Sequence, residues 1–188
     1  MIRFRLILIA GVLFALGAGA VWAAAPVPGG DRTLILDQRA GNYRYLAAFK
    51  GPGRSGYADA IAAFGSPSSY SVRWSQLCLV RWTAAGAAVK FIGRPGRPCS
   101  ADRLFEASWY GMTMYGEGWH TSRRLRIGQP YRGVRRLYPK ARFETVNGRR
   151  WLVLARRRQD EFNFIILAVR FDRAGRVAAI EVPAAYVF

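Results

Sequence analysis

The chain has 188 residues and a formal charge of +18, from 29 Lys and Arg against 11 Asp and Glu; 52% of it is hydrophobic. Such a length can bury on the order of 70% of its unfolded surface, enough for a real core. Two cysteines and a single histidine exclude a four-ligand Cys/His zinc site without carboxylates. The cations are nearly all arginine, with lysine only at Lys50, Lys90 and Lys140. Arginine can chelate phosphate or carboxylate through two parallel hydrogen bonds, although arginine and alanine excess also follows genome base composition.

The N-terminus carries Arg3 and Arg5, then an uncharged apolar run from Leu6 to Ala25 that ends in Val21-Trp22-Ala23-Ala24-Ala25. A basic start, an apolar segment and a small-residue end form a signal-peptide pattern with cleavage after Ala23. The run is also long enough to span a bilayer, so an uncleaved anchor is the rival reading. Gly11, Gly17, Gly19 and the alanine-rich end favour cleavage. Export makes Cys78 and Cys99 a disulfide pair.

Residues 24–53 hold the linker AAPVPGGD, a short strand TLILD (33–37) and the segment NYRYLAAFK (42–50), which fits strand or helix. GPGRSG (51–56) is a loop without the lysine and spacing of a phosphate loop. The spacing of Tyr57, Ile61 and Phe64 predicts a helix, stopped by Gly65-Ser66-Pro67. SYSVRW (69–74), QLCLVRW (76–82) and AAVKFIG read as strands, with a turn at TAAG (83–86) whose Gly86 suits a left-handed position. RPGRP (94–98) is a loop leading to Cys99. LFEASWYGMTMYG (104–116) reads as one strand with a bulge or bend at Gly111.

Beyond it, RLRIG (124–128) is read as a strand entering a helix at QPYRGVRRLYP, opened by Pro130 and stopped by Pro139. Strands are expected at 142–146, 149–157, 162–171 and 176–182, with an Asn147-Gly148 hairpin turn and a DRAG turn at 172–175. The halves 54–116 and 117–188 can be superposed as tandem helix-plus-sheet units. RWTAAGAAVKF (81–91) then falls on RFDRAGRVAAI (170–180), leaving room for one extra strand in the second unit. The expected class is α+β: short helices packed on antiparallel sheet. The stretch TSRRLRIGQPYRGVRRLYP resembles a segment of small secreted bacterial proteins of unassigned function. The helix-then-sheet repeat is similar to the fold of secreted β-lactamase inhibitor proteins and of the small lipoproteins of outer-membrane assembly. That resemblance implies a helix packed on an antiparallel sheet and carries over no function. The lipidated N-terminal cysteine of the lipoproteins is absent here.

Three constellations are candidates for function. Trp109, Tyr110, Met112, Met114, Tyr115 and Trp119 form an aromatic and methionine cluster. They suit either a strand buried on both sides or a surface for a protein partner. Strict alternation puts Trp109, Gly111, Thr113 and Tyr115 on one face, opposite Tyr110, Met112 and Met114. On the second helix, Tyr131, Val134 and Tyr138 share one face, with Arg132, Arg135 and Arg136 opposite. Those arginines, with Arg123, Arg124, Arg126, Arg149, Arg150, Arg156, Arg157 and Arg158, are either a solvated outer surface or, if they converge, an anion-binding patch. His120, between Trp119 and Thr121, is the only imidazole for a hydrolase-like site. There is no G-x-S-x-G, P-loop, H-E-x-x-H, zinc-finger or RNP-like motif. The sequence thus points to an exported or extracytoplasmic, non-enzymatic module binding an unknown protein. The alternative is electrostatic attachment to an anionic cell-envelope polymer or lipid. No cofactor and no specific nucleic acid are expected, and a membrane only if the N-terminal segment stays uncleaved.

Overall fold

The computed structural model describes residues 33–37, 42–45, 56–146, 148–159, 162–183 and 185–187. The expected signal or anchor segment, the linker and Asp160-Glu161 lie outside them. In chain order the elements are β1 (Thr33–Asp37), β2 (Asn42–Tyr45), α1 (Tyr57–Phe64), β3 (Ser69–Trp74), β4 (Leu77–Trp82) and β5 (Ala87–Ile92). Then come α2 (Ala101–Glu106), β6 (Ser108–Met114), β7 (His120–Thr121), α3 (Tyr131–Leu137), β8 (Arg142–Val146) and β9 (Arg149–Gln159). The chain closes with β10 (Phe162–Phe171), β11 (Val177–Val182) and β12 (Ala185–Val187).

The class is α+β, and the main sheet is antiparallel. Its strand order is β3-β4-β5-β6-β11-β10-β9-β8, with β12 paired to one end of β10. Each half is a helix followed by a four-strand meander, and the two meanders join through their last strands, β6 and β11. The order therefore reads outward from the β6–β11 pair as the same meander twice. The turn at 83–86 joins the second and third strands of the first meander, whereas 172–175 joins the third and fourth of the second. The superposed turns thus hold different places in their meanders: two strands separate α1 from 83–86 and three separate α3 from 172–175, so the second unit carries one extra strand before its turn. A smaller sheet, β2-β1-β7, includes a parallel β1–β7 pair.

The core lies on one face of the main sheet. Cys78, Val80 and Trp82 of β4, Ala87, Val89 and Phe91 of β5, and Leu167 and Val169 of β10 point into it. They meet Tyr57, Ala60 and Phe64 of α1, Leu104 of α2, and Val134 and Tyr138 next to or within α3. Alternation along each strand sends every second side chain there, which is why short helices with only two or three apolar residues each can close the core. The α1 start is fixed by Asp59, whose carboxylate accepts from the Gly56 N–H at 2.8 Å. On α3 the expected orientation is observed: Val134 and Tyr138 are buried and Arg132 and Arg136 are exposed. Tyr131 is part-exposed at 38%, stacked 5.7 Å from Phe143.

Two segments depart from expectation. The front of the 104–116 run is α2, not strand, and only Ser108–Met114 enters the sheet. The run 124–128 is not a strand but a turn and an isolated bridge, with Arg124 at φ +65°. Thr121 holds this loop. Its hydroxyl accepts from the Leu125 N–H at 3.2 Å and lies 3.0 Å from the Tyr138 hydroxyl, linking the loop to the end of α3.

The β4–β5 turn shows why glycine is needed at 86. Gly86 has φ +61°, and a Cβ there would stand 2.2 Å from the Cα of Gly116. Around that contact, the Gly86 carbonyl accepts from the Tyr115 and Gly116 N–H groups, and the Trp119 indole donates to the Ala85 carbonyl at 2.7 Å. The disulfide joins Cys78 to Cys99 with a Cα separation of 5.1 Å. Cys78 itself pairs with Phe91 across β4 and β5. The 93–98 loop folds back to reach it, as Gly93 and Gly96 donate to the Gln76 and Ser75 carbonyls. Closing a loop of this size is worth about 3 kcal/mol in the chain-entropy model.

Candidate functional site: a basic cup on the helix-free face

The face of the main sheet opposite the helices forms a cup of about 660 Å³. Its lining alternates with the core residues along the same strands. Leu77, Leu79 and Arg81 come from β4, Ala88 and Lys90 from β5, and Tyr110 and Thr113 from β6, with Tyr115 just beyond. The far wall is Glu181, Arg170, Arg149 and Trp151, while Arg73 and Trp74 close the β3 side.

Local irregularities aim several of these side chains. The β3–β4 register shifts between Val72 and Trp74, which leaves Arg73 as an extra residue and turns both Arg73 and Trp74 toward the cup. The β5–β6 register shifts between Lys90 and Phe91, which face Gly111 and Trp109, so that Tyr110 is the extra residue. The bulge expected near Gly111 is therefore present, but strict alternation across it fails. Trp109, Met112 and Met114 all face the core, and Tyr110, Thr113 and Tyr115 face the cup.

Five cations line the cup, Arg73, Arg81, Lys90, Arg149 and Arg170, against one carboxylate, Glu181. Glu181 is only 5% exposed and accepts a hydrogen bond from Nε of Arg170. Arg81 donates weakly to the Ser71 hydroxyl, at 3.4 Å. Arg73, Lys90 and Arg149 have no ion-pair partner among the described residues. Burial depresses the Lys90 pKa below the ordinary lysine value. Glu181 opposes that shift, while Arg149, Arg170 and Arg73 add to it. The Trp151 indole N–H is also buried without an acceptor among the described residues. Trp151, Val153, Ile165 and Ala168 form a small apolar cluster beside the cations.

The sequence candidates land in different places. Trp109, Met112, Met114 and Trp119 are at most 2% exposed, so they are core and offer no surface to a partner. Only Tyr110 and Tyr115 of that cluster reach the cup. The arginines singled out by sequence stand in several settings. Arg149 alone of them lines the cup. Arg150 lies over the Phe143 ring at 4.3 Å, and Arg156 pairs with Glu144. Arg157 and Arg158 are exposed farther along β9. Arg123 sits 5.3 Å from the Tyr138 ring centroid, while Arg124 and Arg126 are exposed on the loop. On α3, Arg132 and Arg136 face solvent, but Arg135 is half-buried and donates to the Ala141 carbonyl. His120 Nδ1 lies 3.0 Å from the Gly118 carbonyl oxygen. Among the described residues no three or more His, Cys, Asp or Glu side chains cluster as a metal site.

The residues that sequence reasoning missed are Arg73, Arg81, Lys90, Arg170 and Glu181. Except for Arg73, in the mixed strand SYSVRW, each stands inside an apolar strand run, as in AAVKFI and LCLVRW. A charge within such a run signals a strand whose second face is not a plain core. What this surface can do chemically is hold negative charge beside apolar and aromatic walls. In comparisons with known proteins, no family model, no curated protein and no solved structure matches this chain.

Proposed function

We propose that the protein is an extracytoplasmic binding module, not an enzyme, and that it takes an anionic ligand or partner in the cup on its helix-free sheet face. The observation that carries this reading is the charge imbalance: five cations face one carboxylate, and that carboxylate is already occupied by Arg170. Like charges gathered on one surface repel one another, most of all at half-buried Lys90, and something negative sharing the site relieves that repulsion. The Cys78–Cys99 disulfide is compatible with an extracytoplasmic location, and the N-terminal leader pattern supports export. The burial of Trp109, Met112, Met114 and Trp119 weakens the aromatic protein-docking surface expected from sequence, and the scatter of the outer arginines weakens a single outer patch. A second reading, contact with a partner protein, is favoured by Tyr70, Val72 and Phe105, which are 47%, 59% and 59% exposed at the β3 edge and on α2.

Retention on immobilised heparin, a polyanion, tests the proposal. The wild type should elute at a salt concentration well above that of Arg73→Glu/Arg149→Glu, since reversing two cup charges turns attraction into repulsion. The outer pair Arg132→Gln/Arg136→Gln should elute close to wild type. Equal elution of wild type and the cup variant, with loss in the outer pair, would move the binding surface to α3.

A further inference from the structure

The cup is larger than a bare anion needs and is only partly polar. Trp74, Tyr110, Tyr115 and Trp151 stand on its walls with Leu77 and Leu79, and the cations flank Lys90. We infer that the cup is a site for a phosphate monoester carrying an apolar or planar body, with the dianionic group seated at Lys90 between Arg73 and Arg149 and the body against the aromatic wall. This rests on the reading of the cup as an anion site and names its ligand.

Three observations select this chemistry. First, three cations without an ion-pair partner among the described residues, Arg73, Lys90 and Arg149, surround the position. A monoester dianion offers three terminal oxygens and about two negative charges; a carboxylate offers two oxygens and one. The larger charge leaves less cationic repulsion uncompensated. Second, lysine binds phosphate as a compact point charge, and guanidinium groups add bidentate contacts from the sides. Lys90 sits on β5, two strands in from the β3 edge, and the arginines reach in from β3 and from β9. Third, burial and the neighbouring arginines disfavour the Lys90 ammonium, and a dianion seated beside it would offset both. The other groups facing it are Arg81 from β4, Tyr110 and Tyr115 at β6, Arg170 from β10 and Glu181 from β11. Of these only Glu181 is a carboxylate, and Arg170 holds it.

The test is calorimetric titration of the full chain at neutral pH and low salt with phenyl phosphate, inorganic phosphate and benzoate. Phenyl phosphate should bind saturably, at least tenfold more tightly than benzoate and more tightly than inorganic phosphate. Lys90→Met should weaken it at least tenfold, and Arg149→Gln, at an exposed position, provides a second variant whose folding is not in question. Arg132→Gln/Arg136→Gln should not change it. A further arm uses phosphatidylcholine vesicles with and without phosphatidic acid. Lys90-dependent binding to the acidic vesicles, competed by phenyl phosphate, assigns the phosphate to a lipid headgroup. Phenyl phosphate binding without vesicle binding assigns it to a soluble monoester. Benzoate binding as tightly as phenyl phosphate, or affinity unchanged in both Lys90→Met and Arg149→Gln, overturns the inference. If no phosphate ligand binds while heparin retention still depends on Arg73 and Arg149, the inference fails and the broader anion-binding reading survives.

Discussion

The two faces of the main sheet are built from the same strands and differ by one residue of phase. On β5, Val89 and Phe91 are fully buried under the helices, while Ala88 and Lys90 between and before them line the cup. The covered face is filled with aliphatic, aromatic and sulfur-bearing side chains from all three helices and both meanders. The cup face has a small apolar cluster at Trp151 and otherwise spends its positions on arginine, lysine and tyrosine. An antiparallel sheet with one packed face usually presents ordinary mixed polar residues on the other. Here the second face is concave and carries five cations against one carboxylate. The difference teaches that stability is concentrated on one side of the backbone, which leaves the other free to hold charges that cost stability.

The sharpest way to break that comparison is to place the same carboxylate on neighbouring residues. Val89→Asp would bury an unpaired charge at a fully enclosed position, so we expect a loss of several kcal/mol or no folded protein. Ala88→Asp would put the carboxylate on the cup face, directly across from Arg81 and two residues from Lys90. Opposite charges facing each other across a strand pair are favourable, so the cost should stay within about 1 kcal/mol. Urea denaturation of the two variants measures this. Comparable losses in both would mean that the cup face is as much a structural core as the helix-covered face.

Lys90 gives the next effect and the opposite sign. Its folded-state pKa is lowered by burial, so in the pH range between that value and the ordinary lysine value the unfolded chain binds the extra proton. Stability should therefore rise with pH through this range, and the cost of the buried ammonium is fully present below it. Lys90→Met removes the ammonium and keeps the stem. It should be more stable than wild type at pH 7 in the absence of anions, with the advantage shrinking as the pH approaches 10. Denaturant midpoints across that range test it, and a constant advantage would show that packing, not charge, separates the two. A variant that gains stability while losing anion affinity is the expected signature of a site residue.

Much of the frame was legible in the sequence because it rests on local signals. The α1 span, the Gly86 and Gly148 turns, the β8–β11 strands and the Cys78–Cys99 link follow from periodicity, turn chemistry and cysteine count. α2 was hidden because its six residues run into the aromatic strand with no glycine or proline between them. The site was hidden for a different reason. Arg73, Lys90, Arg149 and Arg170 lie far apart in sequence and meet only through cross-strand registration. Bulges at Arg73 and Tyr110 shift the alternation that would have assigned their faces, and a shift by one residue inverts every later assignment on a strand. Arginines are dense over 122–143, yet on α3 Arg132 and Arg136 face solvent and Arg135 serves a backbone carbonyl.

The smallest expected effect concerns that helix and separates two kinds of arginine on it. Arg132 and Arg136 are exposed and have no ion-pair partner among the described residues. Replacing both with glutamine, also a good helix former, should change stability by no more than about 0.5 kcal/mol. Arg135 is half-buried, and its guanidinium donates to the Ala141 carbonyl just past the helix end. That carbonyl belongs to a residue 3% exposed, so water cannot readily replace the lost donor. Arg135→Gln should therefore cost about 1.5 kcal/mol, the low end for a hydrogen bond involving a charged group. Urea midpoints of the double variant and the single variant measure the two costs. Equal, near-zero costs would make Arg135 as solvated as its neighbours, and the whole arginine face of α3 would then contribute charge alone. A larger loss in the Arg132/Arg136 pair than in Arg135 would mean that the exposed arginines support the fold. The division between a stabilising face and a charge-bearing face would then not extend beyond the sheet.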